Sequence, residues 1–230
     1  MPRVGLTHLR VISEARQLSE EIGLDQLTMT AVAQRLGVKL PSLYKHIGSI
    51  AELRRIIATI AARELGDEIA NAALGRDGSS AIYAISQAYR KWAVNHPARY
   101  RASQIPPAPG DFQHEAIVGA VARTFTAAIA ASGSENTGAQ VDRARAARAT
   151  LHGFVTLEST RSFGSATNVD RSFRRTIHGL TDALALNAAP RAGDASPSDP
   201  TTPQTPMHRL GSTVTARAVT TEKITTEQEV

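Results

Sequence analysis

The stretch LTMTAVAQRLGVKLPSLYKHIGSIAELRR, Leu27 to Arg55, decides the reading of this chain. It holds two short helical patterns pinched around Gly37, then a basic aromatic cluster, then a fresh helix start. Thr28 is placed to cap a helix that presents Ala31, Val32, Ala33 and Leu36 before Gly37 stops it. Lys39 to Ile47 reads as a third, very short helix, in which Pro41 is tolerable because it lies in the first turn. Ser49-Ile50-Ala51-Glu52 is a capping box that opens a long fourth helix reaching about Ala73. Gly37 gives the backbone access to positive φ, so the two helices around it can cross steeply, and the small Ala33 allows close approach. The pattern is that of a helix-turn-helix.

In such a unit Leu36, Val38, Leu43 and Ile47 pack inward, leaving the outer face to the residues between them. A helix that enters the major groove needs short polar groups for base edges and flanking donors for phosphates. Ser42 suits a base or phosphate contact, and Leu40 or the ring of Pro41 suits a thymine methyl. Tyr44 can lay its ring on the sugar-phosphate backbone and donate its hydroxyl. Lys39, Lys45 and His46 supply charge and donors, and Thr28 caps the helix that would face the backbone. The competing reading of the pattern alone is a helical hairpin with a solvated basic face.

Working outward, Val11, Ile12, Ala15, Leu18 and Ile22 share one face of a first helix that ends at Gly23. Downstream, Gly75 to Ser80 reads as a turn-rich break and a domain seam. A helix over about 81–96 is expected to stop before Pro97. Further helices are expected near 113–132, 139–161 and 168–187. In the last, Val169, Phe173, Ile177, Leu180 and Leu184 form an apolar stripe, expected to place Phe173 or Ile177 across a dimer seam. No strand or internal repeat is evident. The fold class is therefore all-α, organised as a helix-turn-helix domain over 1–50, a helical domain over 51–187 with the fourth helix as connector, and a tail over 188–230. The tail is rich in Pro, Ser and Thr without an aromatic residue, and is expected to be disordered.

Composition narrows the function classes. The net charge is +5, with 26 basic and 21 acidic residues in 230. The segment from Ala188 carries four basic and five acidic residues, so the positive excess belongs to the helical part and favours a polyanionic partner. There is no cysteine, no apolar run of membrane-spanning length and no signal-peptide core, so a cytoplasmic protein is expected. No GxSxG elbow, P-loop or GxGxxG is present, and no enzyme is expected. His96, His114, His152 and His178 lack ligand spacing, so neither a metal nor another cofactor is expected.

LTMTAVAQRLGVKLPSLYKHI followed by AELR resembles the DNA-binding domain of TetR-type transcriptional regulators over about residues 5–66. The Gly37-Val38 turn, Leu43-Tyr44-x-His46 and Leu53 carry the likeness. One departure is Ile50, where many members have a lysine that grips phosphate; the resemblance leaves phosphate binding there to the helix N-terminus. YRKWAVNHPARYR (89–101) and LHGFVTLES (151–159) resemble in part the WHG type of C-terminal domain in that family. The resemblance implies a homodimer that binds double-stranded operator DNA and a C-terminal domain that binds a small effector. Nine of the chain's ten aromatic residues follow residue 80. Tyr89, Trp92, Tyr100, Phe112, Phe125 and Phe154 are the expected lining of an apolar effector pocket. The expected function is a ligand-responsive repressor on a palindromic operator. The alternatives are an activator, or a DNA-binding regulator whose C-terminal half is a ligand-blind interaction module.

Overall fold

In the computed structural model, residues 5–130, 137–164 and 168–186 are described. Among them lie nine α-helices and no strand. The tail expected beyond Asn187 and the linker at 131–136 lie outside the described residues.

Helix α1 (His8–Ile22) is capped by Thr7, whose Oγ1 accepts the Arg10 N–H at 3.2 Å. It ends at Gly23, and a single 3-10 turn, Leu24–Gln26, then leads into α2 (Met29–Leu36). Thr28 caps α2 as its position predicted, accepting from Ala31 N–H at 3.1 Å. Gly37 closes α2 in the left-handed conformation at φ 66°, where an L side chain would be strained. Val38 N–H then reaches back to the Ala33 carbonyl at 3.0 Å.

Helix α3 is shorter than its sequence suggested, Leu40–Tyr44 rather than Lys39–Ile47. Both His46 and Ile47 turn their N–H groups back on the single carbonyl of Leu43, at 2.9 and 3.1 Å. That turn lets Ser49 cap α4 (Ile50–Ala73) immediately afterwards, with Ser49 Oγ accepting from Glu52 N–H at 3.0 Å. Five residues have no helical stability of their own. What holds α3 is the burial of Leu43 and Ile47, both fully covered, in the core with Val11, Ala15 and Leu53. Each such side chain contributes about 1.5–3 kcal/mol.

Helix α4 is the spine. Its buried residues run its whole length, from Leu53 and Ile57 to Leu65 and Ile69. It packs on α1 at one end and on α5 (Gly78–Asn95), α6 (Pro97–Ser103) and α7 (Phe112–Ala130) further along. Because α4 and α5 lie side by side, Gly75 to Asp77 is an interhelical turn and not the expected seam, and Gly78 to Ser80 already belong to α5. Pro97 does stop α5, yet it also opens α6, which sequence reading missed. A proline at the first helical position gives up only an N–H that a helix start leaves unpaired.

Helices α8 (Thr137–Ser159) and α9 (Val169–Leu186) complete the body. The α9 stripe faces α5 and α8 within the same chain. Phe173 sits edge-on to Phe154 with ring centroids 5.0 Å apart, and the Arg90 guanidinium stacks over it at 4.8 Å. Arg90 also binds Glu158 at 2.8 Å and Asp170 at 2.7 Å, so one cation ties α5, α8 and α9 together. The hydrogen bond that Arg90 donates to Glu158 is the main reason its pKa is raised.

The placement of Phe173 or Ile177 across a dimer seam is therefore corrected. Both are 0% exposed inside the single chain, so neither has surface left for a second copy. Ile177→Asp should not yield the folded monomer that the earlier expectation implied. It buries an unpaired carboxylate, a cost of several kcal/mol, and should lower the denaturant midpoint sharply or abolish folding. A variant with a wild-type melting curve in circular dichroism would disprove this packing.

Candidate nucleic-acid interface and effector cavity

The turn at Gly37 sets the outer face of α3. Lys39, Pro41, Tyr44 and Lys45 are exposed, Tyr44 at 48%. Leu40, Ser42 and His46 are half-buried, and Leu40 leans on the core. Thr28 is exposed at the start of α2, where its oxygen is committed to the cap while its hydroxyl proton remains available. All eight residues expected at the nucleic acid thus lie on α3, its flanking turns or the α2 cap.

Charge pairing separates the cations of this region. Arg35 on α2 forms a fork on Glu21 at 2.7 and 2.8 Å and also meets Glu14 at 3.4 Å. Arg54 donates to the carbonyls of Asp25 and Leu27, bracing α4 against the 3-10 turn. Lys39 and Lys45 have no ion-pair partner among the described residues.

The start of α4 differs from what the family resemblance implied. Glu52 Oε2 accepts the Gly48 N–H at 2.8 Å, setting a carboxylate at the helix N-terminus. Ile50 supplies no cation there, and Glu52 occupies a donor that a phosphate would use.

The residues expected to line an effector pocket part company. Phe112 is 78% exposed on the first turn of α7 and is not part of the cavities described below, because its position faces away from the bundle. Trp92 is buried edge-on to His96, Phe125 is fully buried, and Phe154 packs on Phe163 and Phe173. Tyr89 and Tyr100 do border cavities. A cavity of about 540 Å³ opens between α6 and α8, lined by Tyr100, Arg101, Gln104, His152, Thr156 and Thr160 among others. Behind it, a pinch of about 10 Å³ at the bundle centre is lined by Leu65, Tyr89, Ser103, Gln104, Val121 and Arg148 among others. That is about the volume of one water. An open groove of about 430 Å³ runs separately between α4 and α7, past Arg63, Asp67 and Gln113.

A polar chain joins the two inner cavities. The hydroxyls of Tyr89 and Tyr100 lie 3.0 Å apart, and Tyr100 lies 2.6 Å from His152 Nδ1. His152, Thr156, Gln104 and Arg148 are residues that sequence reading missed. Arg148, His152 and Thr156 recur every fourth residue on α8, a polar row that spacing alone would have revealed. The four histidines are dispersed: His96 meets Trp92, His152 meets Tyr100, His178 meets Tyr83, and His114 is buried at the start of α7.

Helix α6 also touches the DNA-binding end. Glu20 of α1 accepts the N–H groups of Ala98 and Arg99 at 3.1 and 3.2 Å, and Arg99 Nε at 3.0 Å. Arg99 further meets Glu64 at 3.5 Å, Arg16 pairs with the same Glu64, and Arg101 pairs with Asp25.

Burial pushes the phenol pKa of both Tyr89 and Tyr100 above the ordinary 10.0, and for Tyr100 the neighbouring Tyr89 adds to it. The neutral phenols therefore favour the folded chain. Their contribution is fully present below the unfolded value near 10 and is lost as pH rises through it toward the raised folded values. Phenolate absorbance in an alkaline titration should lag behind that of the urea-unfolded chain. The doubly substituted Tyr89→Phe, Tyr100→Phe chain should lose that lag, and an unchanged lag would remove both phenols from the interior.

Comparison with known proteins agrees with this architecture. Residues 11–55 match the model for bacterial regulatory proteins of the tetR family, and residues 82–180 match the tetracyclin repressor-like C-terminal domain. The HTH-type transcriptional regulator Rv0681 of Mycobacterium tuberculosis is 31% identical over 156 residues, covering 67% of this chain and 71% of that one. The HTH-type regulator YobS of Bacillus subtilis is 25% identical over 186 residues, covering 81% and 96%. A protein from Rhodococcus sp. RHA1 shares the fold with a TM-score of 0.66 at 21% identity, over 80% of this chain and 99% of that one. A TetR variant from Acinetobacter baumannii AYE, crystallised with minocycline, does so with a TM-score of 0.61 at 21% identity, over 81% and 100%. Among the described residues no helix is long and apolar enough to cross a membrane. With a helix-turn-helix at its head and a matching helical domain behind it, the chain belongs to the TetR family of DNA-binding transcriptional regulators, which are not enzymes.

Proposed function

We propose that this regulator is a homodimeric, ligand-responsive repressor acting on a palindromic operator in the cytoplasm. The observation that carries the reading is the double attachment of α6. Its first turn is held by Glu20 of α1, and its Tyr100 borders the cavity on α8. A molecule that fills the cavity and displaces α6 acts on the helix-turn-helix through that contact. That the Acinetobacter TetR, similar in fold, forms a complex with minocycline supports a ligand response.

In this reading residues 1–50 form the DNA-binding domain, 51–187 the effector and dimer domain, and 188–230 a tail with no part in either. Lys39 and Lys45 hold phosphates, Tyr44 and His46 brace the backbone, and Thr28 donates to a phosphate at the α2 start. Ser42, Leu40 and Pro41 face base edges. The dimer forms through the exposed faces of α8 and α9, whose inner faces are already used within the chain. Two-fold pairing doubles the base contacts available to a five-residue reading helix, and the operator half-sites then lie about one helical turn or a multiple of it apart. A ligand shifts the balance between DNA-matched and mismatched dimers only as far as it prefers one of them.

Sequencing of the genomic fragments retained by the purified protein should return an inverted repeat, and sedimentation should give a dimer. Recovery of a direct repeat, or a monomer on DNA, would overturn the dimeric reading. On the recovered operator, Lys45→Ala should reduce the slope of log K against log salt by about one per monomer. Tyr44→Ala should weaken specific and random DNA alike while helicity is retained, because the ring is exposed. An unchanged salt slope, or loss of fold in the Tyr44 variant, would remove the corresponding contact.

A further inference from the structure

The inner cavities differ from an apolar pocket in one respect that bears on what enters them. The residues that line the 540 Å³ cavity and the central pinch include arginines, a histidine, hydroxyls and Gln104, but no Asp or Glu. Of the two arginines, Arg101 is neutralised by Asp25. Arg148 is half-buried at the centre and has no carboxylate partner among the described residues, while Arg16, Arg35, Arg90, Arg99 and Arg101 all have one. The Arg148 guanidinium is therefore not already committed to an acid, which leaves it able to take an anion. Its charge reaches the phenols of Tyr89 and Tyr100.

We infer that the effector carries a carboxylate, which pairs with Arg148 and receives hydrogen bonds from the Tyr89–Tyr100–His152 chain. The guanidinium fork matches a carboxylate with two parallel N–H···O bonds. Gln104 borders both cavities and donates to Ser103 Oγ at 2.9 Å. Releasing that bond and shifting Tyr100 joins the outer cavity to the central pinch, so the effector's body rests between α6 and α8 while its acid group reaches inward. The inference rests on the proposed effector role of this domain and names the chemistry of that same site.

The test uses the full chain with acetate, benzoate and decanoate, each beside its neutral amide. Calorimetry reads binding, and operator retention reads response. At least one carboxylate should bind saturably at or below about 10 mM, with its amide about tenfold weaker or worse. Arg148→Gln should lose about tenfold or more in affinity for that carboxylate and should still bind operator DNA, since Arg148 is on α8 and the proposed DNA contacts are on α2 and α3. If Arg148→Gln fails to fold, Arg148→Lys keeps the charge without the fork and should fall between the two. Absence of saturable binding by every carboxylate, equal binding of an amide, or unchanged affinity in the folded Arg148 variants overturns the inference. If an amide and its acid release the operator equally, the anion requirement falls and the ligand-responsive reading stands. If a carboxylate binds through Arg148 without moving the operator, the site stands and the ligand-responsive reading falls.

Discussion

Glu20 is the contact on which the two-part organisation turns. Helix α6 begins at a proline and has no capping side chain of its own. Its first free N–H groups, on Ala98 and Arg99, are met by a carboxylate that arrives from α1, 78 positions earlier in the chain. A negative charge at a helix start gains both from these hydrogen bonds and from the helix dipole. Arg99 folds back on the same carboxylate and on Glu64 of α4, which Arg16 of α1 also holds. Each pair is partly exposed and individually modest. Together they fix α1, α4 and α6 in one register, because no member can move without leaving a charge unpaired.

Helix α6 has seven residues, so it transmits displacement as a short rod. Successive helical residues point about 100° apart. Arg99 therefore serves the α1 side while Tyr100 faces the Tyr89–His152 chain on the other. A carboxylate drawn toward Arg148 would compete for the same hydroxyls that seat Tyr100, and any change in that seat is felt at the Glu20 cap. This places the proposed effector chemistry and the proposed DNA response on different faces of one element. It also gives the polar chain a purpose that apolar packing would not need, since hydroxyl and imidazole groups can exchange partners with little steric change.

How much of this was legible in the sequence depended on how local each cause is. Thr28, Gly37 and Ser49 cap or terminate their helices through contacts three to five residues away, and their positions were readable. The family likeness in Leu27–Arg55 is equally local, and so was the outer face of α3. The length of α3 was not, because the turn back onto the Leu43 carbonyl is set by where α4 must begin. Helix α6 was missed since its cap comes from Glu20. The α9 stripe announced a buried face but not its partner, which is α5 and α8 of the same chain. Aromatic clustering pointed to the C-terminal helices, where most of these rings serve packing. Trp92, Phe125 and Phe154 are consumed by the core, and the polar row Arg148, His152 and Thr156, plain from its spacing, lines the cavities.

The reading head has an unusual dependence for the same reason. A five-residue helix contributes almost no rigidity, so the placement of Lys39, Tyr44 and Lys45 is inherited from whatever Leu43 and Ile47 pack against. Those neighbours are α1 and the first turns of α4, the two helices that Arg16, Glu64 and Glu20 bind to α6. Arg54 adds a brace from α4 to the backbone just before Thr28. Tilting α4 would therefore carry α2 and α3 along as one body and leave their internal packing intact. In a dimer that motion changes the separation of two recognition helices and not their shape. DNA affinity would then be governed by the spacing of the heads, while each head keeps its ability to grip phosphate on its own.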